Sequence, residues 1–231
     1  MKHLAQAVFI AAALIVSCKV QESREAMTDI CRYWDAQKCN AAYGVSSNSD
    51  GVSKRTIRIT MEEVPLFDSI NAVGSVTSVV ALQFVSLVER AALDGFDEIA
   101  VKASLGGHSL DESYPIADVR EADSLYRIVD TFFKLFEQHR MEELNSINDD
   151  EYLPDTMMNR IVGSLVSLDS LGGPVHNARV LGFQLGSVEG TDLQVVAYRT
   201  QVSFGPKDYA NVSFQVNRSN GKLSYMGVFD F

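Results

Sequence analysis

Proline, cysteine, histidine and tryptophan are all scarce in this chain, at 5, 3, 4 and 1 among 231 residues. There is no low-complexity tract and no internal repeat, and 46% hydrophobic with 22% charged residues is the balance of a globular protein, not a disordered one. Basic residues are also short, 20 against 30 acidic, for a formal charge of -10. So acidic a surface repels phosphate backbones and anionic headgroups, which argues against nucleic acid as a partner and against electrostatic attachment to lipid. Catalytic signatures are missing too: the chain carries no HExxH, no GxSxG and no Walker-type phosphate loop. No cofactor and no metal is expected.

One hydrophobic run exists. Met1–Lys2–His3 makes a cationic start, Leu4 to Val16 is apolar apart from Gln6, and Ile15–Val16–Ser17–Cys18 closes the segment. A spanning helix needs roughly 20 apolar residues, and charge returns at Lys19, Glu22, Arg24 and Glu25. The pattern therefore predicts a secretory signal over 1–17, cut between Ser17 and Cys18. A small residue followed directly by cysteine resembles the lipobox of bacterial lipoproteins. That resemblance implies a diacylglyceryl group on the Cys18 thiol, an acylated (palmitate-type) amine after cleavage, and a membrane anchor through N-terminal lipid. Several chains are needed, since one acyl chain anchors only marginally. The place implied is the bacterial cell envelope. Lys19 stands where enterobacterial-type sorting would use aspartate for inner-membrane retention, so the outer membrane is favoured, with the leaflet open.

Lipidation of Cys18 would leave Cys31 and Cys39 as a pair. An oxidising compartment permits a bridge, but eight helical steps span about 12 Å, beyond the roughly 7 Å Cα limit for a disulfide. A bridge therefore requires a break between them, which Asp35 to Lys38 could supply. Bridged and unbridged states both stay open. No further Cys or His lies nearby to complete a tetrahedral metal set.

Along the chain, residues 18–50 read as a tether followed by a short helix (Ala26, Ile30, Tyr33, Trp34), ending in the polar loop Ser46–Gly51. Residues 51–115 read as a small βαβ-like region. Its parts are a half-buried strand (Ile57, Ile59, Met61), a helix over 75–94 striped by Val76, Val79, Val80, Phe84, Leu87, Val88 and Ala91, a short strand at Ile99–Val101, and a loop from Gly106 to Asp118. Residues 116–231 begin with a capping box, Asp118 and Glu121, opening a helix with Leu125, Ile128, Val129, Phe132, Phe133 and Phe136 inward. A polar bend follows at Asn145–Asp150. A second helix is then striped by Met157, Met158, Ile161, Val162, Leu165, Val166 and Leu168, and Gly172–Gly173–Pro174 stops it. Strand-like runs at 177–187, 192–204, 209–217 and 222–230 form a chain of hairpins, the last turned at Asn220–Gly221. The fold class is α+β: C-terminal helices packed on a four-stranded antiparallel meander, preceded by a small βαβ-like N-terminal half.

Two helices ahead of such a meander, from Asp118 to Phe231, resemble the cone-shaped nuclear-transport-factor-2-like fold, in particular small envelope domains of unknown function. That family includes isomerases and hydratases with acid/base pairs in the cone, alongside members that only bind or assemble; fold alone does not choose. His176 at the rim, with Tyr198, Arg199 and Tyr225 on the strands, are candidate ligand-lining residues. His139 near a helix end suits the dipole there, and His108 reads as a loop residue. Paired acids at Glu62–Glu63, Asp111–Glu112, Glu142–Glu143 and Asp149–Asp150–Glu151 are expected to be solvated, and no residue is assigned a catalytic role. The leading expectation is a non-enzymatic, lipid-anchored envelope protein that binds an unidentified protein or small-molecule ligand. The rivals are an acid/base enzyme in the cone and an assembly subunit.

Overall fold

A computed structural model describes residues 23–47, 53–65, 75–173, 175–204 and 208–229. Cys18, the proposed cut beside Ser17, and the whole 1–17 segment lie outside those residues. The chain divides into two compact units, Met1–Val119 and Arg120–Phe231, each built on its own four-stranded sheet.

The N-terminal unit opens with helix α1 (23–34), then strands β1 (Lys38–Ser47) and β2 (Ser53–Glu62), helix α2 (Ser75–Leu87), a single turn α3 (Arg90–Leu93), and strands β3 (Glu98–Leu105) and β4 (His108–Pro115). The strand order is β1-β2-β3-β4. β2 and β3 run parallel with α2 between them, the βαβ core read from sequence, and β1 and β4 add antiparallel edges. Period-two alternation places Ile57, Ile59, Met61, Ile99, Val101 and Ala103 on one face, all fully buried. α2 covers that face beside β3 and β4. It is buried all round from Val76 to Leu82, Thr77 and Ser78 included, as an apolar helix without a polar face must be.

Three expectations are corrected in this unit. The helix expected over 75–94 breaks after Leu87, where Glu89 is extended (φ -56, ψ 140), so Leu87 and Ala91 turn outward while Ala92 and Leu93 are buried. The expected loop at 106–118 is instead a hairpin: Gly106 and Gly107 both take positive φ (54 and 88), the two-residue turn that matches strand twist. Between the short helix and the loop expected from Ser46, where no element is expected, the chain forms a whole edge strand, β1, which takes in Ser46 and Ser47 of that loop.

The C-terminal unit takes in most of helix α4 (Ile116–Glu137), the turn α5 (Met141–Leu144), helix α6 (Asp155–Gly172) and the meander β5 (Val175–Ser187), β6 (Gln194–Phe204), β7 (Asp208–Asn217) and β8 (Leu223–Phe229). All neighbours pair antiparallel in the order β5-β6-β7-β8, as read from the hairpin signals. Helix α4 starts at Ile116, so Asp118 sits inside its first turn rather than capping it. Val129, Phe132, Phe133 and Phe136 are buried, and both Phe132 and Phe133 meet Phe214 of β7 edge-on, with centroids 5.3 and 5.5 Å apart. Helix α6 buries Met158, Val162 and Leu165, while Met157 and Val166 from the expected stripe are exposed. The β7–β8 turn is wider than two residues. Asn217 N–H donates to the Lys222 carbonyl at 2.8 Å, and Gly221 takes the positive φ of 69.

Candidate functional site

The candidate ligand-lining residues of the meander do not share a lining. Tyr198 is fully buried on the inner face and donates its hydroxyl to the Ala122 carbonyl of α4 at 2.5 Å. Burial first, then the acids Asp123 and Glu121 and the phenol Tyr126, raise its pKa well beyond the ordinary tyrosine value. Arg199, one residue on, must face the other way, and it is exposed, as is Tyr225 on β8. His176 lies in β5 by its backbone, and its side chain is outside the described residues. His108 is exposed at the start of β4, and His139 is exposed just past α4 with a φ of 56.

Two polar clusters are inside the units rather than over them. In the N-terminal unit, Glu112 of β4 accepts from Thr77 of α2 at 2.5 Å and from the Tyr114 hydroxyl, and the two hydroxyls are 2.8 Å apart. Burial and then the Glu112 carboxylate push the Tyr114 phenol far up, with Thr77 acting the other way. The carboxylate's partners are α2 and β4 themselves, so the cluster latches helix to strand.

In the C-terminal unit, Asp149 is buried, contrary to the solvated acid expected there. Its carboxylate accepts from Asn217 at 2.8 Å and Asn220 at 2.9 Å, and its backbone N–H donates to the Leu223 carbonyl at 2.7 Å. Burial pushes the Asp149 carboxyl up, but those two amides, with Lys222 nearby, outweigh it and hold the carboxyl below its ordinary value. Beside it the Asn148 amide donates to the Leu153 carbonyl at 2.7 Å and to Asp155 at 3.1 Å. This network ties the bend before α6 to the β7–β8 turn.

Among the described residues an open cleft of about 660 Å³ lies between α1 and β1. Its walls are Ser23, Arg24, Met27, Thr28 and Cys31 from the helix, and Cys39, Asn40, Ala41 and Tyr43 from the strand. The helix breaks at Asp35 (φ 50), and the Ala36 N–H bonds back to the Cys31 carbonyl at 3.1 Å, turning the chain so that β1 returns along α1. That break is what lets Cys31 and Cys39 approach to a Cα separation of 5.8 Å and join in a disulfide. At the opposite end of the cleft the Ser23 and Tyr43 hydroxyls bond to each other. Helix and strand are thus fastened at both ends, over eight helical and four strand steps that each span about 12–13 Å. Between the fastenings the small Ala41 faces the half-open space, and the helix is anchored from behind by buried Ala26, Ile30 and Trp34, whose indole N–H donates to Gln83 of α2 at 2.9 Å.

Arg24 is the one ionised side chain on the cleft wall, and neither its guanidinium nor the Asn40 amide has a partner among the described residues. The arrangement therefore presents a cation, an amide and a hydroxyl (Thr28) over an apolar floor of Met27 and Ala41. Such a wall suits holding a partly polar ligand carrying negative charge. Among the described residues no group of three His, Cys, Asp or Glu gathers to hold a metal.

Sequence reasoning left the Cys31–Cys39 bridge open and missed the cleft. The available signal was period two: Cys39, Ala41, Tyr43 and Val45 alternate with Asn40, Ala42 and Gly44. Comparisons with protein-family models, with curated proteins and with solved structures found no match.

Proposed function

We propose that this chain is a lipid-anchored protein of the bacterial envelope that binds a ligand or partner in the α1–β1 cleft. The observation that carries the reading is the Cys31–Cys39 disulfide at one end of that cleft. A structural disulfide belongs to an oxidising compartment, in keeping with the export segment at the N-terminus. It also accounts for two of the three cysteines and leaves Cys18 for acylation. Export, lipidation and a cleft beside helix α1 then describe one design: a short lipidated lead into a binding module, with the outer membrane as the favoured site. The cone resemblance of the C-terminal unit is consistent with α4 and α6 lying against the meander, and its packed interior (Phe132, Phe133, Phe214, Tyr198) fits a scaffold better than an acid/base pocket.

Two measurements test this. Intact-mass analysis of the protein from native membranes should show a cleaved leader and an acylated Cys18; an unmodified thiol there refutes the anchoring. A thermal-shift panel of small carboxylates, sugars and peptides should yield stabilising compounds, since a ligand at 100 times its Kd adds about 2.7 kcal/mol. Ala41→Trp, which fills the cleft, should abolish every shift. Shifts that persist in that variant place binding elsewhere.

A further inference from the structure

The outer edge of β1 is a ten-residue strand side to which no strand is paired among the described residues. In a two-strand pairing every second residue directs its N–H and C=O away from the partner. Among the described residues none of those outward groups on Lys38–Val45 has a partner. Proteins ordinarily protect such an edge with charge, proline, bulges or a cover. The opposite edge of the same sheet does so: β4 carries Asp111 and Glu112 and ends at Pro115. β1 has no charged residue from Cys39 to Ser47, pairs with β2 without a bulge, and exposes Tyr43 (39%) and Val45 (70%). The bare edge and the cleft coincide at Cys39–Tyr43.

We infer that the occupant of the cleft is an extended peptide of a partner protein, added as a fifth strand antiparallel or parallel to β1, with an acidic side chain or terminal carboxylate set against Arg24. The inference rests on the cleft being the binding site proposed above. Main-chain hydrogen bonds to the free edge supply affinity, and alternate side chains of the peptide enter the space under α1. Arg24, Met27, Thr28 and Cys31 form the stripe of α1 that those side chains meet. Charge selects the occupant over a second copy of this chain. A body of formal charge -10 repels itself, whereas the guanidinium of Arg24, without a partner among the described residues, attracts one local carboxylate.

The probe is a fluorescein-labelled heptapeptide alternating valine with threonine and carrying one glutamate in place of a threonine, titrated with the full chain in detergent and read by anisotropy. Saturable binding is expected, at least about tenfold tighter than for the counterpart with lysine in place of that glutamate, and Arg24→Glu should reverse that preference. Strand addition uses one edge of the peptide, so N-methylating one alternate set of its amides should abolish binding while methylating the other set leaves it. Equal tolerance of both sets overturns the inference. So does a chain that sediments as a dimer, binds no peptide, and becomes monomeric on Val45→Lys, because the occupant is then a second copy. Failure of the peptides beside Arg24-dependent stabilisation by small carboxylates overturns this inference alone; silence of both overturns the binding role as well.

Discussion

Removing the Cys31–Cys39 bridge with the double substitution Cys31→Ser, Cys39→Ser should destabilise the N-terminal unit by an amount set by loop length. The two cysteines are 8 positions apart, and the loop-closure entropy lost from the unfolded chain for so short a loop corresponds to about 2.5 kcal/mol at room temperature. The native side loses little, because Ile30 and Trp34 still anchor α1 and the Ser23–Tyr43 hydrogen bond still closes the far end of the cleft. For a unit of this size 1 kcal/mol moves the melting midpoint by roughly 4–8 °C, so the expected fall is about 10–20 °C. Trp34 is the single tryptophan of the chain, fully buried and bonded to Gln83, so its emission reports this unit directly. Melting followed at Trp34 should show the fall both in the variant and in the native chain under reductant. Reductant should have no effect on the variant. An unchanged Trp34 midpoint would refute the fastening role of the bridge, and a fall far larger than 20 °C would mean that α1 detaches altogether.

Asp149→Ala strands the buried Asn217 amide, takes a partner from the exposed Asn220 amide, and should cost about 1–3 kcal/mol in urea denaturation of the C-terminal unit. Because the Asp149 carboxyl is held below its ordinary value, its contribution is complete above the unfolded value of 3.8 and is lost as pH falls through the lower folded value. Acid titration should therefore show a loss of stability below 3.8 that Asp149→Asn removes. Thr200 is fully buried and its hydroxyl has no partner among the described residues, so Thr200→Val should stabilise by about 1–2 kcal/mol, and a loss instead would mean the hydroxyl has a partner. In a spectrophotometric titration, Tyr114 and Tyr198 should stay protonated after the exposed tyrosines ionise, until the fold opens; ionisation of all tyrosines together in the native state would contradict their burial.

The elements legible in the sequence were those whose burial is one-sided and strong. β2 announces itself through Ile57, Ile59 and Met61 against Thr56, Arg58 and Thr60, and the meander through Val196, Tyr198, Thr200 and Val202 with turns between them. The edge strands β1 and β4 are harder to read: the alternation of β1 is blurred by Ala42 and Gly44 on its outer face, and β4 has little apolar pattern to display. The β4 sequence HSLDESYP alternates only weakly, and its glycine turn reads equally well as a loop. Asp149 was misjudged for a related reason: an acid in a polar bend looks solvated until the amides that satisfy it, 68 and 71 residues away, are brought alongside. The same limit hid the cleft. Its walls are a short helix and a strand that the sequence pattern does not mark as one, and neither wall carries a motif. What makes them a site is that they are fastened at two ends and left unfilled between, a property of their juxtaposition. Binding by an unpaired edge needs no particular residue along the strand, only the absence of the charges and prolines that would block it. The binding proposed for this cleft would leave its sequence trace at one position, Arg24, a cation that lines the cleft and has no side-chain partner among the described residues.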